Sequence, residues 1–380
     1  MVRLPHPVRL RRRGARRRHC GTEITSRTGA RRRLPRVISL RRPAALAVAV
    51  AAALAGLGLA DPGTASAERP AAGRATVNDK HVIAISVDGL NPRALKRLGR
   101  TGTPNLHRII KDEGAGTVDA RTQLEMTVTL PNHTSMVTGR RIKASKGGHG
   151  VTWNDDKVTK TVQQAAGREV GSVFTGVHEA GGTTAVYATK SKFWLFERSW
   201  PKAVDKNVIE VERNGAVVKA LLADLGTAPA SFSFLHLGKP DQVGHHAGWM
   251  SAKYLRAVAK MDKLIGRVMA QVEATPSLRD NTVIVLTADH GGIPGTRNHT
   301  TRTHRDNYRV PFAFWGAGVT HAELYALNPD RAKPGRARPG FGAAPQPIRN
   351  GEVANASLDI LGVDPLPDSL WNSAQDLDWK

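Results

Sequence analysis

Cysteine is almost absent from this chain: Cys20 is the only one among 380 residues, and it lies near the N-terminus. The rest of the protein therefore has no disulfide and no thiolate, and any metal ligands there must be histidines and carboxylates. Aromatic residues make up only 5% of the chain. The longest uncharged apolar run, Ala44–Ala60, has 17 residues, fewer than the about 20 that a membrane-spanning helix usually needs.

The first 67 residues differ in composition from the rest of the chain. They contain 15 arginines but only two acidic residues, Glu23 and Asp61, which gives a net charge of +13. An Arg-rich leader, an apolar stretch and the A-x-A sequence Ala65-Ser66-Ala67 follow one another, as in a secretory signal peptide. We therefore predict a signal peptide over residues 1–67 and a secreted, periplasmic or extracellular protein with no membrane span after cleavage. An uncleaved membrane anchor is the alternative.

The remaining positive charge is moderate. Subtracting the +13 of the leader from the formal net charge of +24 leaves +11 for residues 68–380, and this excess is spread along the chain. Such a surface attracts phosphate esters and polyanions, or simply keeps the protein soluble. No nucleic-acid-binding motif accompanies it, so we expect no specific nucleic-acid recognition.

Strand-like and helix-like segments alternate after a predicted linker over residues 68–80. Continuous apolar strands of this kind are typical of a mostly parallel sheet that is covered on both faces. We therefore predict a single α/β domain over residues 81–380, with the three-layer α/β/α sandwich architecture. The predicted strands are His81–Val87, Thr184–Ala188, Ser231–Leu237, Thr282–Thr287 and Val310–Trp315.

Three helix starts are also visible. Asn91-Pro92 and Thr103-Pro104 each place a capping residue before a proline, which suits the first helical position. Ser251–Ala274 is predicted to be a long helix. Its core-facing residues recur at helical spacing: Leu255, Val258, Met261, Leu264, Ile265, Val268 and Val272.

Acidic residues follow three of the predicted strands. Asp88 and Asp289 come just after their strands, and Asp241 follows a third strand at a short distance. Because ligands in parallel α/β folds bind at the carboxyl ends of the strands, we expect these acids to meet at one edge of the sheet. Asp88 could instead cap the following helix.

Histidines accompany two of these acids. His245 lies four residues after Asp241, and His290 directly follows Asp289. Aspartate and histidine are suitable zinc ligands, although a structural Asp–His pair is the alternative for Asp289 and His290. The joint occurrence of these residues in a region without cysteine favours a metal site.

Thr129 lies next to the predicted helix start at Pro131-Asn132. The N–H groups and the positive dipole end of a helix N-terminus favour an alkoxide and a phosphate. A threonine hydroxyl is nevertheless a weak nucleophile unless a base or a metal activates it. A plain N-terminal hydroxyl is the alternative role.

Together, these motifs resemble the nucleotide pyrophosphatase/phosphodiesterase branch of the alkaline phosphatase superfamily, over nearly all of residues 80–365. The resemblance implies the alkaline-phosphatase-like fold. It rests on Asp88-Gly89, Thr129-Leu130-Pro131-Asn132-His133, His149-Gly150, Pro240-Asp241, Gly244-His245 and Asp289-His290-Gly291.

The resemblance also implies a site with two zinc ions. One ion would be held by Asp88, Asp289 and His290, with Thr129 bound to it as the nucleophile. The other would be held by Asp241, His245 and a later histidine, for which we favour His299 over His304. Asn154 and a backbone N–H near Leu130 would bind phosphate oxygens.

The activity implied is hydrolysis of phosphodiester or pyrophosphate bonds in a small phosphodiester or nucleotide substrate, through a phospho-threonine intermediate. His299 follows His290 by only nine positions, so the chain lacks an insertion that many family members carry there, which leaves nucleotide specificity open. No arginine lies inside the motifs, and this favours diesters over monoesters.

Other activities remain as alternatives. A phosphomonoesterase or a phosphonate hydrolase would use the same residues. A sulfatase is disfavoured, because it needs a cysteine or serine where this chain has Thr129. A non-catalytic, polyanion-binding scaffold is the alternative from a different class, and metal content would distinguish it from an enzyme.

Overall fold

The computed structural model describes residues 75–380. The predicted signal peptide and residues 68–74 of the predicted linker lie outside the described residues. Residues 75–80 form neither helix nor strand, but they are attached to the fold: the N–H groups of Val77 and Asn78 donate to the carbonyls of Ala180 and Leu361. The described residues all belong to one compact unit.

An eight-stranded sheet forms the centre, in the order β4-β3-β5-β1-β6-β7-β2-β8. The neighbours from β4 to β6 are parallel, as are β2 and β8, whereas β7 is antiparallel to both β6 and β2. The strands are β1 His81–Val87, β2 Ala115–Arg121, β3 Thr184–Ala188, β4 Lys206–Ile209, β5 Phe232–Leu237, β6 Thr282–Thr287, β7 Arg309–Gly316 and β8 Ala322–Glu323.

Helices cover the sheet in two groups. One group packs around α9 and includes α1, α2, α7 and α8, and the other includes α3, α5 and α13. The α-helices are α1 Pro92–Gly102, α2 Pro104–His107, α3 Thr129–Thr138, α4 Val162–Ala166, α5 Val173–Glu179, α6 Trp194–Ser199, α7 Asn214–Leu225, α8 Lys239–Ala247, α9 Ala252–Ala274, α10 Pro276–Arg279, α11 Arg305–Tyr308, α12 Leu324–Leu327 and α13 Val353–Ile360. A π-helical turn, Arg108–Asp112, and the 3-10 turns Ala144–Lys146, Ser191–Phe193 and Asn350–Glu352 complete the set.

The predicted α/β architecture is confirmed. All five predicted strands form, with ends that differ by at most one residue, and β3, β5 and β6 are buried along their whole length. The long helix α9 begins after Ser251, whose side chain accepts the N–H of Tyr254. Among its predicted core residues, Leu255 and Leu264 are only partly buried.

Three strands were not predicted from the sequence. β2 contains glycine, aspartate and arginine, β4 has four residues, only two of them apolar, and β8 has only two residues. The charges of β2 are tolerated because Asp119 pairs with Arg121 and with Arg309 of β7, at 3.1 and 2.8 Å.

Among residues 75–380, no helix is both long enough and apolar enough to cross a bilayer.

Candidate active site

The carboxyl ends of three neighbouring strands lie at the same level. In the parallel register, Val87 at the end of β1 is opposite Leu237 of β5, and Ser86 is opposite Thr287 of β6. Asp88 follows β1 directly, Asp289 comes two residues after β6, and Asp241 lies in the first turn of α8 after β5. The three acids therefore meet at one edge of the sheet, as predicted.

Gly89 allows this close approach. Its φ of +71° lies in the left-handed region, and a Cβ at this position would be 3.0 Å from the Cα of Asp241. The backbone N–H of Asp241 donates to the carbonyl of Asp88 at 3.0 Å, and the Gly89 N–H donates to Oδ1 of Asp289 at 3.0 Å. A side chain at residue 89 would force these segments apart.

The first ligand cluster consists of Asp88, Asp289 and His290, all buried. His290 Nε2 lies 3.6 Å from Asp88 Oδ1 and 3.2 Å from Asp289 Oδ2. Thr129, the first residue of α3, places its Oγ1 3.5 Å from the same Nε2. The predicted nucleophile is thus beside the first cluster and at a helix N-terminus.

The second ligand cluster consists of Asp241, His245 and His299. His245 Nε2 lies 3.4 Å from Asp241 Oδ1 and 3.0 Å from His299 Nε2. The ring of His299 stacks on that of His290 at 3.7 Å, so the two clusters are adjacent. His304 belongs to neither cluster: it caps α11, where its Nδ1 accepts the N–H of Asp306.

The three histidines of the clusters share one tautomer. In each, Nδ1 lies within hydrogen-bond distance of a backbone carbonyl, which can only accept, so Nδ1 carries the proton and Nε2 presents a lone pair. Such carbonyl partners are typical of metal-binding histidines. The acceptors are the carbonyls of Gly291 for His290, Arg297 for His245 and Thr127 for His299, at 2.9, 3.2 and 2.7 Å.

The three aspartates each keep one buried oxygen without a hydrogen-bond partner in the described part of the chain: Oδ1 of Asp88, Oδ1 of Asp241 and Oδ2 of Asp289. Such oxygens are costly unless a ligand satisfies them, and they face the lone pairs of the histidines. Four zinc ligands at about 2 Å in a tetrahedron lie about 3.3 Å apart. The separations within the clusters are of this size, so the residues fit divalent cations.

Burial and mutual repulsion set the protonation of the acids. Burial, with the negative charge of Asp88, raises the pKa of Asp289 well above its ordinary value. Burial also opposes ionisation of Asp88, but the Lys190 ammonium and the hydrogen bond from His236 outweigh it and hold the pKa of Asp88 well below that value. Burial lowers the pKa of His299 to about 3, which keeps this imidazole neutral and able to bind a metal.

Lys190 and His236 are site residues that the sequence analysis did not assign. Lys190 follows β3, and its Nζ donates to Oδ2 of both Asp88 and Asp241. His236, the penultimate residue of β5, donates from Nε2 to Asp88 Oδ2 at 2.9 Å. His236 lies at the carboxyl end of β5, next to β1, and Lys190 follows β3, next to β5. These positions at the carboxyl ends of parallel strands are the signal that could have found them.

Asn154 is exposed near Thr129. Its Oδ1 accepts the N–H of Leu130 at 3.0 Å. In this structure the Leu130 N–H therefore orients the asparagine, whereas the sequence analysis expected an N–H near Leu130 to bind a phosphate oxygen. The Nδ2 of Asn154 has no hydrogen bond within residues 75–380 and is available to a substrate oxygen. Lys192 donates to the backbone carbonyl of Asn154 at 2.7 Å.

A cavity of about 350 Å³ opens beside the second cluster. Its wall includes Asp241 and His245, the lysines Lys190 and Lys192, and Glu212. A group bound there would lie next to the second cluster.

The sequence of this chain is similar to those of known proteins. Residues 82–338 match the sequence model of the family described as type I phosphodiesterase / nucleotide pyrophosphatase. A curated relative, GPI ethanolamine phosphate transferase 1 of Neurospora crassa, is 27% identical over 217 residues. The match covers 57% of this chain but only 20% of that protein, so the chain corresponds to a fraction of the relative's length.

Solved structures show the same fold. Murine ectonucleotide pyrophosphatase/phosphodiesterase 5 in complex with AMP superposes with a TM-score of 0.56 at 14% identity, covering 79% of this chain and 100% of that one. An alkaline phosphatase superfamily protein from Vibrio parahaemolyticus gives 0.53 at 13% identity, over 80% and 70%. The family match extends over more than half of the chain and includes both clusters, and the chain therefore belongs to the type I phosphodiesterase/nucleotide pyrophosphatase family.

Proposed function

We propose that this protein is an exported two-zinc hydrolase that cleaves phosphodiester or pyrophosphate bonds, with Thr129 as its nucleophile. One observation carries the proposal: unpartnered carboxylate oxygens and imidazole lone pairs converge in two adjacent clusters beside the Thr129 hydroxyl. A non-catalytic scaffold would have no need for this arrangement. The N-terminal signal pattern supports export.

Zinc suits the ligands, because each cluster combines histidine with carboxylate and contains no sulfur. Asp88, Asp289, His290 and Thr129 would hold one ion, and Asp241, His245 and His299 would hold the other. Zinc in these places would lower the pKa of a hydroxyl and neutralise charge on the phosphoryl oxygens.

Thr129 would act in two steps. Its Oγ1 attacks phosphorus while the bond from phosphorus to the leaving oxygen breaks; the hydroxyl proton passes to solvent and the leaving oxygen takes up a proton. Water then attacks the phospho-threonine, which releases the phosphoryl product and restores the hydroxyl. The N-terminus of α3 favours the negative charge that develops next to it, and Asn154 Nδ2 would donate to an equatorial oxygen.

Diesters are the favoured substrates. Esters of nucleotides are candidates among them, because the structurally similar murine protein forms a complex with AMP. The lysines near the site favour a phosphomonoesterase as the second candidate. Lys190 and Lys192 line the cavity beside the second cluster, where their charge could offset the extra charge of a monoester. The sequence analysis favoured diesters because the family motifs contain no arginine. Lys190 and Lys192 lie outside those motifs, so that reasoning did not include them.

The test compares p-nitrophenyl thymidine monophosphate with p-nitrophenyl phosphate on the purified chain, with zinc counted on the same sample. We expect two zinc ions per chain and faster cleavage of the diester. Thr129→Ala should lower turnover by about a thousandfold or more. Thr129→Ser keeps a hydroxyl and is the matched control, which should retain measurable turnover.

Other outcomes would change the conclusion in distinct ways. Faster cleavage of the monoester would support the phosphomonoesterase. Turnover by Thr129→Ala equal to that of the wild type would exclude Thr129 as nucleophile, and absence of both zinc and turnover would leave only the scaffold.

The curated relative is a transferase by name, and the same assay can separate transfer from hydrolysis. Hydrolysis releases p-nitrophenol and free thymidine monophosphate in equal amounts even when an alcohol such as ethanolamine is added. A deficit of the free nucleotide, matched by a new ester, would show that the alcohol and not water accepts the phosphoryl group.

A further inference from the structure

Lys190 connects the two ligand clusters. Its Nζ lies 2.6 Å from Oδ2 of Asp88 in the first cluster and 2.7 Å from Oδ2 of Asp241 in the second. The lysine side chain is 20% exposed, and the two carboxylates are buried. A single ammonium thus holds one acid of each cluster at a fixed separation.

The lysine binds the oxygens that the proposed metals do not need. Both of its contacts are to Oδ2 atoms, whereas Oδ1 of Asp88 and Oδ1 of Asp241 remain without partners in the described chain. Oδ2 of Asp88 also accepts from His236. Lys190 therefore leaves the ligand positions open and fixes the two carboxylates from their other side.

Charge makes this contact important in the metal-free protein. Asp88, Asp241 and Asp289 are buried close together, and repulsion between them opposes folding. Within residues 75–380, Lys190 is the one lysine or arginine that forms an ion pair with any of the three. Its Nζ contacts two of these carboxylates directly, at 2.6 and 2.7 Å, so its charge offsets part of their mutual repulsion.

We propose that Lys190 is a positioning residue that acts as an internal counter-ion, holding Asp88 and Asp241 in place before metal binds and opposing metal binding energetically. A bound divalent cation neutralises the same carboxylates, so the attraction between Lys190 and these acids is worth less in the metal-loaded protein. Coupling between two sites is reciprocal. The free energy by which bound metal weakens the Lys190 contact therefore equals the free energy by which Lys190 weakens metal binding.

Lys190→Met tests this coupling, since methionine removes the charge and keeps much of the chain length. Without metal, the variant should unfold several degrees below the wild type, whereas the zinc-loaded forms should unfold at similar temperatures. The zinc affinity of the variant should be about tenfold higher, within the usual range of such couplings. Thermal unfolding and titration against a competing zinc chelator measure the two effects.

Lys192→Met is the matched control. Lys192 lies two residues away and lines the same cavity, but its Nζ donates to the backbone carbonyl of Asn154 and not to an acid of the clusters. This variant should keep the zinc affinity of the wild type. Lys190→Arg keeps the positive charge and should return both the metal-free stability and the zinc affinity towards those of the wild type.

The results separate this inference from the proposed function, on whose metal sites it rests. Zinc affinity that is unchanged or weaker in Lys190→Met would overturn the inference alone, as would a variant that fails to fold even with zinc. A variant that folds only with zinc would support it. Absence of zinc binding by the wild type would overturn both the inference and the proposed function. The unfolding temperature and the zinc affinity are measured without reference to esterase activity.

Discussion

Each aspartate of the site has one oxygen bound by the protein and one buried oxygen without a partner among the described residues. Asp289 illustrates this: Oδ1 accepts the N–H groups of Gly89 and His290, while Oδ2 has no partner among the described residues. A buried polar group without a hydrogen bond costs about 1–3 kcal/mol. Three such oxygens in one place make the site a source of instability until a cation is bound.

The choice between His299 and His304 is a prediction at this scale. His299 Nε2 lies in the second cluster, whereas the ring of His304 is 40% exposed and caps α11. His299→Ala should therefore reduce the zinc content from two ions to one per chain. His304→Ala should leave two. Metal analysis of both purified variants measures the difference.

These two variants control for each other, because both remove an imidazole from the same loop. Loss of one zinc ion in His304→Ala, with two retained in His299→Ala, would contradict the placement of the second cluster. Equal loss in both would indicate that the loop as a whole, and not one ring, determines metal binding.

At the scale of elements, α3 presents Thr129 because its surroundings fix it. All ten residues of the helix are buried, and the 3-10 turn Asn350–Glu352 packs against it. The side-chain amide of Asn350 donates to Asn132 Oδ1 in α3 and to the Ala288 carbonyl after β6. The turn thus joins α3, which carries the proposed nucleophile, to the strand end that carries Asp289 and His290.

Glu352, at the end of this turn, should make stability depend on pH. Burial raises its pKa to about 7, from an ordinary value of 4.5. Between these values the folded protein keeps a proton that the unfolded chain has released, so stability falls as pH rises from 4.5 to 7. The loss is ~3 kcal/mol. Glu352→Gln keeps an acceptor for the Arg349 N–H and should unfold at a higher temperature than the wild type at pH 8.

The difference between the two proteins should vanish at about pH 3.5, below the ordinary pKa of the carboxyl, where it is protonated in both the folded and the unfolded state. Thermal unfolding at the two pH values measures it, and comparison at each pH cancels the titration of the metal site. Glu169→Gln, at an exposed position, is the control and should have no effect at either pH. A gain for Glu352→Gln of the same size at both pH values would refute the role of titration.

Some strands and site residues could be predicted from the sequence, and others could not. β1, β3, β5 and β6 could be predicted because strands buried on both faces are continuously apolar. β2 could not, since the charge of Asp119 is balanced there in part by Arg309, which is distant in the sequence. In the site, Asp289-His290 and Asp241 with His245 are local patterns. Lys190 reaches the aspartates only because β3 pairs with β5 in the sheet. The spacing of residues along the chain does not predict this pairing.

At the scale of the whole molecule, the segment beyond the family match is part of the fold. Trp371, Leu377 and Trp379 are buried, and Trp371 Nε1 donates to Gln123 Oε1 at 3.0 Å. Gln123 in turn lies on the segment that leads to Thr129, and its N–H donates to Asn132 Oδ1. Residues 339–380 therefore support the edge of the sheet at which the candidate site lies.

Metal removal is the prediction that involves the whole molecule. The two clusters join β1, α8 and the segment between β6 and α11, so bound zinc should stabilise the whole fold. Ligand at about a thousand times its dissociation constant adds about 4 kcal/mol per site, which corresponds to a change in unfolding temperature on the order of 10 °C for a protein of this size. Chelation should lower that temperature, and added zinc should restore it. If chelation removes the metal without changing the unfolding temperature, the carboxylates are held by the protein alone, and Lys190 would be the residue that holds them.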